Sequence, residues 1–522
     1  MSLSLRLIYD RARQQFPHQR IIAQAPDGLH RLTYAQWADR TAQLAHGLAA
    51  LGLQPGARVA TLAWNHHRHL ELYFAAALMG ATYHTLNPRL PAAQLRYILG
   101  HARDQILLVD ADLLPLVEPL LPALPDLRTV VLMGGAPHDS YHDYERLIAD
   151  QPTTYPWPTL DESAPAGICY TSGTTGDPKG VAFSHRGLYL HAMMLCMADH
   201  FAIRARDVLM PIVPMFHVNA WGFPFAALMA GAGLVLPGKF TPQSLAQLAE
   251  SERVTIAPGV PTVWAAFLPL LQSGAYDLAA LKQIPCGGAA VSAALAQAYE
   301  ERGIRIAHAY GLTEGGPVTH ICTLTAAEEA LPVAERAERL TRQGRPAPGI
   351  EQRLVGPTGA DLPWDGVSPG ELWIRGPWVA ERYLDDPRTA ESFVDGWYRT
   401  GDVATIEPDG TMRIVDRLKD LVKSGGEWIS SVALENALLG APGVAEAAVI
   451  ATPHPRWEER PLALVVRRPG DPTPDEGALQ AYLRERFPSF WVPDQIRFVE
   501  SIPKGPTGKI DKRLLRTTWI SA

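Results

Sequence analysis

The chain has 522 residues, 47% of them hydrophobic, which is too many for one ordinary core and enough for two or three. Against 54 Asp and Glu stand 47 Lys and Arg, a formal charge of -7, so there is no broad basic field for nucleic acid or anionic lipid and an anionic ligand has to be gathered locally. The four cysteines, Cys169, Cys196, Cys286 and Cys322, lie far apart with no CxxC pair, which argues against structural zinc and for a reducing compartment.

From the start, MSLSLRLIYDRARQQFPHQR lacks the uninterrupted apolar run of a secretory signal. From Arg58 to about Gly315, β-type runs (ARVATLAW, QILLVD, RTVVLM, RVTIAPG) alternate with helix-type stretches such as HHRHLELYFAAALMGA, the pattern of parallel α/β units. The run from Trp221 to Gly238 is broken by Pro and Gly and falls short of the ~20 apolar residues of a membrane helix. A soluble cytoplasmic protein without a transmembrane segment is expected, and a homodimer is left open.

Between Gly349 and Ile414, short strands with turn pairs (EQRLVGPTGADLPWDG, GELWIRG, EPDGTMRIV) predict an antiparallel subdomain. The last hundred or so residues read as a smaller α+β unit, with helical spacing in SVALENALLG and GALQAYLRERF and strands in VAEAAVIA, PLALVVR and QIRFVE. The boundary falls in IVDRLKDLVKSGG, dividing 1–416 from 417–522. The expected fold class is α/β: a large N-terminal domain of parallel α/β units with an antiparallel subdomain, then a small α+β domain.

The strongest local signal is YTSGTTGDPKG, Tyr170 to Gly180. Gly173 and Gly176 let the backbone turn its amides toward one point, Thr171, Ser172, Thr174 and Thr175 add hydroxyl donors, and Lys179 adds charge. The result is an anion cradle suited to phosphate. It is not a Walker A loop, because Gly180 rather than Ser or Thr follows Lys179.

After it come PMFHVNAWG (Pro214 to Gly222), PCGGAAVS (Pro285 to Ser292), AYGLTEGGPV (Ala309 to Val318), YRTGDVA (Tyr398 to Ala404), VDRLKDLVKSGGEWISS (Val415 to Ser431) and PKGPTGKIDKR (Pro503 to Arg513). In this order they resemble the adenylate-forming superfamily of acyl-CoA synthetases, peptide-synthetase adenylation domains and luciferases, and YHTLNPRL (Tyr83 to Leu90) resembles the acyl-CoA branch. The resemblance implies two half-reactions in one site. A carboxylate attacks the α-phosphate of ATP with loss of pyrophosphate, and the thiol of coenzyme A then displaces AMP.

Roles follow from the same resemblance. Tyr310 stacks on adenine, Gly311, Leu312 and Thr313 continue the nucleotide contact, and Glu314 with the Thr171 hydroxyl holds Mg2+. An aromatic face suits a purine, and a carboxylate with a hydroxyl suits a hard cation. Taken alone, that Tyr and Glu would be read as structural. Gly288, Ala289 and Ala290 line the nucleotide. Asp402 accepts from the ribose hydroxyls with Arg417 nearby, and Lys423 is also placed on ATP. Lys509 is the catalytic lysine that reaches the α-phosphate during adenylation. Lys419 and Asp420 fall at a hinge about which the small domain rotates, presenting Ser424, Gly425, Gly426, Glu427 and Trp428 to coenzyme A, with the two glycines leaving room for its arm.

His217, Val218 and Trp221 mark the acid side. Gly315 and Gly316 stand where larger residues are common in the family, and the missing side chains are expected to widen the site toward a longer acid. A medium- or long-chain fatty acid is the first expectation, with a short thioether or aromatic acid undergoing the same chemistry as the alternative. No acidic residue in PMFHVNAWG waits for a substrate amine, which speaks against amino-acid adenylation. From another class, an adenylating or ligand-binding protein that does not use coenzyme A stays open. The fold would also accommodate luciferase-like oxygenation, but nothing in the sequence calls for it.

Overall fold

Strands whose residues are buried throughout, such as Ile106–Asp110 and Thr82–Thr85, can exist only where both sheet faces are covered. The computed structural model describes residues 2–136, 138–171, 177–425, 427–468, 470, 474–505 and 510–520. It places those strands inside a seven-stranded sheet ordered His142–Asp143, Thr129–Met133, Ile106–Asp110, Arg58–Leu62, Thr82–Thr85, Pro165–Thr171, Lys179–Ser184. All neighbours are parallel except the last two strands, which form an antiparallel hairpin. The helix His67–Leu78 is buried along its whole length, with the buried cation Arg68 held between Asp27 and Glu145.

A second layer is built from two four-stranded sheets. One runs Val208–Leu209, Gly233–Leu236, Arg20–Ala25, Gly28–Thr33; the other runs Gln283–Gly287, Arg305–Gly311, Val318–Ile321, Arg345–Pro346. The expected strand RVTIAPG is reduced to bridges at Ile256, which joins Leu209 to Gln283, and at Gly259. Arg253, at φ 54°, takes the chain out of extended geometry at the start of that segment.

The antiparallel subdomain is five-stranded, built on Glu351–Val355, Gly370–Arg375, Phe393–Val394, Trp397–Ile406 and Met412–Arg417. A further five-stranded sheet starts at Val422–Ser424 and carries the helices Ser431–Leu439 and Glu476–Arg484. Its apolar cores are made only of residues from Val422 to Ile520, whereas the largest core of the molecule runs from Leu5 to Met412. The molecule is therefore a large N-terminal α/β unit with mixed sheets and a small C-terminal α+β unit. Among the described residues no helix is long and apolar enough to cross a membrane.

Candidate active site

The antiparallel hairpin at the edge of the seven-stranded sheet sets Thr171 directly opposite Lys179, one at each end of the glycine-rich segment. Ser172, Gly173, Thr174, Thr175 and Gly176 lie outside the described residues, as do Gly426 and Lys509. The 3-10 turn Thr313–Gly315 packs against the strand ending in Thr171 and brings the buried Glu314 to this edge. The Thr171 hydroxyl oxygen is buried and has no hydrogen-bond partner among the described residues. A buried carboxylate and an unpartnered hydroxyl brought to the same sheet edge make a donor set that fits a hard, oxygen-seeking cation such as Mg2+.

Glu314 is not bare. Its Oε1 accepts from the Tyr383 hydroxyl at 2.7 Å, and its carbonyl accepts from the Ala380 N–H at 2.7 Å. The Tyr383 oxygen in turn accepts from Lys179 Nζ at 2.8 Å. Burial pushes the Lys179 ammonium below its ordinary value, and the Glu314 carboxylate opposes that shift.

Tyr310 is the last residue but one of the strand Arg305–Gly311, near where the parallel neighbour Gln283–Gly287 also ends, so Gly288, Ala289 and Ala290 leave from the same edge. The carboxyl ends of parallel strands are where α/β folds place ligands. At Gly287 a Cβ would run into the Ala309 carbonyl, which is why only glycine fits there. The Tyr310 hydroxyl donates to Asp402 Oδ2 at 2.6 Å, and Arg417 Nε lies 3.3 Å from Asp402 Oδ1. Burial, followed by the Asp402 charge, pushes the Tyr310 phenol well above its ordinary value, so it remains a donor. Asp402 and Arg417 are themselves register partners on adjacent strands. Tyr310, Asp402 and Arg417, distant in sequence, thus form one bonded group.

In the segment expected on the acid side, His217 precedes a turn in which Val218, Asn219, Ala220 and Trp221 have φ of 47, 55, 50 and 55°. Four consecutive non-glycine residues in left-handed geometry are strained, since such residues normally visit it singly. The turn directs the Trp221 ring to within 3.6 Å of where a Gly287 Cβ would stand, so it packs against the strand end that carries the glycines. The Cys169 thiol, raised to about 11 by burial, donates to Asn219 Oδ1 at 3.9 Å and helps fix the turn.

Two expectations about open space are corrected. At Gly316, φ is 65° and a Cβ would strike the Trp378 carbonyl; at Gly315 a Cβ would meet Thr319 Cγ2 at 2.9 Å and Leu312 Cδ2 at 3.0 Å. The glycines therefore accommodate Trp378 and Thr319 and do not widen the site. Trp378 is fixed by its indole N–H, which donates to the Val318 carbonyl at 3.1 Å. At Gly425 the expected room is likewise taken: a Cβ would lie 2.9 Å from the Trp457 ring, and Gly425 N–H donates to the Trp457 carbonyl at 2.9 Å.

The remaining residues fall at the expected hinge and in the small unit. Asp420 Oδ1 takes Arg516 Nη2 at 2.5 Å, and the same guanidinium donates to the Lys419 carbonyl at 3.3 Å. Lys423 is not brought to the Tyr310–Asp402 group. It lies opposite Trp428 in the hairpin of Ser424 and Glu427, and its ammonium pairs with Glu458 at 3.3 Å. The Ser424 hydroxyl accepts from Arg460 at 3.2 Å, while Glu427 and Trp428 are exposed. Sequence reasoning missed Tyr383, Trp378 and Asn219; of these only Asn219 stood inside a motif.

The glycine-rich hairpin, the strand end with Tyr310 and the Val218–Trp221 turn lie on one large unit with a separate small unit after it, the architecture of an adenylate-forming enzyme. The model of the AMP-binding enzyme family matches residues 9–384 and that of the AMP-binding enzyme C-terminal domain matches 433–509, so the chain belongs to the AMP-binding enzyme family. Within that family it is an AMP-forming acid–thiol ligase, a coenzyme A ligase. It is 43% identical over 514 residues to a long-chain-fatty-acid–CoA ligase of Thermus thermophilus, covering 98% of this chain and 94% of the relative. It is 44% identical over 500 residues to a 3-methylmercaptopropionyl-CoA ligase of Ruegeria pomeroyi, covering 94% and 92%. Among solved structures, the anthranilate CoA ligase AuaEII in complex with anthranoyl-AMP superposes with a TM-score of 0.90 at 26% identity, covering 99% of this chain and 97% of that one.

Proposed function

We propose that the protein joins a medium- or long-chain fatty acid to coenzyme A through an acyl-adenylate formed from ATP. The observation that supports this choice of acid is the left-handed turn, whose Val218, Ala220 and Trp221 are apolar and in this reading wall the acid side. An apolar wall rewards each methylene it covers.

In this reading Asp402 accepts from the ribose hydroxyls, Tyr310 keeps that carboxylate oriented while its ring faces adenine, and Lys179 takes phosphate oxygens. Glu314 and the Thr171 hydroxyl hold Mg2+, which when bound offsets phosphate charge. Lys509 acts on the α-phosphate in the first half-reaction only. For the second, the small unit turns about Lys419 and Asp420 so that the Ser424–Trp428 segment faces the thiol, and Trp457 has to leave Gly425 if the arm of coenzyme A is to pass there.

A short thioether acid is the second reading, favoured by the similar identity to the 3-methylmercaptopropionyl-CoA ligase. Pyrophosphate release measured over acids of graded length, with and without coenzyme A, tests both. A release rate that rises with chain length supports the first, one confined to short thioether acids supports the second, and sustained turnover without coenzyme A would reject both.

A further inference from the structure

Between the antiparallel strands Gly370–Arg375 and Trp397–Ile406 runs a segment that belongs to none of the recognised motifs, yet it is fastened to the site at three places. Ala380 N–H donates to the Glu314 carbonyl at 2.7 Å, Leu384 N–H to the Gly180 carbonyl at 2.9 Å, and Arg388 Nη1 to the Asp177 carbonyl at 3.0 Å. Tyr383 forms a β-bridge with Val181 and is only 2% exposed. Its ring packs edge-on against Phe393 at 5.2 Å, and its hydroxyl lies 3.4 Å from that of Tyr398. The aromatic body is thus held from the side, and its tip falls between Lys179 and Glu314.

We infer that Tyr383 is a positioning residue for adenylation: its hydroxyl spaces the Lys179 ammonium from the Glu314 carboxylate so that each is available to nucleotide and metal. The direction of the bonds suits this task, because one oxygen accepts from the cation and donates to the anion. Opposite charges attract more strongly beside a buried carboxylate than in open water, and without the phenol between them they would close into a direct ion pair. Such a pair occupies both groups, and it must be broken before either can meet a phosphate or a metal.

The inference rests on the roles proposed above for Lys179 and Glu314, and the test separates the two. Tyr383→Phe, Glu314→Gln and the double variant are compared in four measurements. These are ATP affinity without divalent metal by calorimetry, the Mg2+ concentration that half-activates single-turnover pyrophosphate release, thioester formation from supplied acyl-adenylate, and thermal unfolding. Tyr383→Phe is expected to weaken metal-free ATP binding and raise the Mg2+ requirement, each by about tenfold. It should leave the second half-reaction close to wild type, while the unfolding temperature falls only modestly with the lost hydrogen bond to Glu314.

In the Glu314→Gln background the same change should cost under about threefold, because no carboxylate remains for Lys179 to close upon. Equal losses in both half-reactions, or full additivity of the two variants, would overturn the inference. So would a Tyr383→Phe enzyme with unchanged ATP and Mg2+ dependence beside a shifted Glu314→Gln, which leaves the Glu314 assignment standing. An unshifted Mg2+ dependence in Glu314→Gln would overturn that assignment and the inference with it.

Discussion

Asp402→Asn keeps the shape of the side chain and removes its charge, which makes it the sharpest test of the nucleotide edge. Asp402 is 6% exposed and accepts from the Tyr310 hydroxyl at 2.6 Å, while the 3.3 Å contact with Arg417 involves a guanidinium whose side chain is 48% exposed. Such a half-exposed pair contributes about 0–1 kcal/mol. A buried hydrogen bond to a charged group contributes about 1.5–3 kcal/mol and a neutral one about 1 kcal/mol, so the folded state should lose about 1–2 kcal/mol. The bonds from the ribose hydroxyls lose the same charge but keep a neutral acceptor, and about 1–2 kcal/mol there corresponds to a rise of roughly 5- to 30-fold in the KM for ATP. Pyrophosphate release at saturating acid reads the KM, and calorimetric titration with ATP reads the affinity directly. Tyr310→Phe is the control: it breaks the same internal bond but leaves the carboxylate, so it should lose similar stability and change the ATP KM by under about threefold. If Asp402→Asn leaves the ATP KM unchanged, or Tyr310→Phe raises it as much, the assignment of Asp402 to the ribose is wrong.

Three further outcomes are expected. Lys509→Ala should slow acyl-adenylate formation far more than thioester formation from a supplied adenylate, read by single turnover; equal losses would reject alternation between two domain orientations. Across acids of two to sixteen carbons, kcat/KM should rise roughly fourfold per methylene, from about 0.8 kcal/mol of transfer free energy each, until the apolar wall is covered. A flat or falling profile beyond about four carbons would favour the short-acid reading. Gly316→Leu should lower the unfolding temperature and the yield of folded protein without moving the chain-length optimum, because its side chain meets the Trp378 carbonyl in left-handed backbone; a shorter optimum in a stable variant would restore the original idea of open space.

Contiguity explains much of what could be read from the sequence. Thr171 and Lys179 stand a few positions apart and become opposite ends of a hairpin, and Tyr310 with Glu314 occupies one strand end and the turn after it, so each pair was visible as a motif. The helices Ser431–Leu439 and Glu476–Arg484 and the strands Val444–His454 and Gln495–Phe498 appeared where their periodicity placed them, each packing one face on a local core. Tertiary partners were not legible. That Trp378 fills the side of Gly316, or that Trp457 covers Gly425, depends on backbone approach across separate strands, and neither residue carries a local signal. Tyr383 lies in ERYLDDPR, where no spacing marks it, and its meaning arises only when the β-bridge to Val181 brings it beneath Lys179. The segment RVTIAPG has the composition of a strand, but the positive φ at Arg253 and the ladder beside it leave only isolated bridges.

The turn from Val218 to Trp221 bears on how this enzyme could be altered by laboratory evolution. Each non-glycine residue held in left-handed geometry costs about 1–2 kcal/mol, so the four together cost roughly 4–8 kcal/mol, comparable with the whole stability of many domains. A selection for heat resistance alone should therefore find glycine at Ala220, where φ is 50° and no side-chain bond would be lost, before it finds most surface changes. The same exchange would let the chain around Trp221 relax, and acids of different length would then be less well distinguished. On the acid-side role proposed for this turn, heat resistance and selectivity among acids would be set against each other there, and libraries screened for the first should be counter-screened for the second.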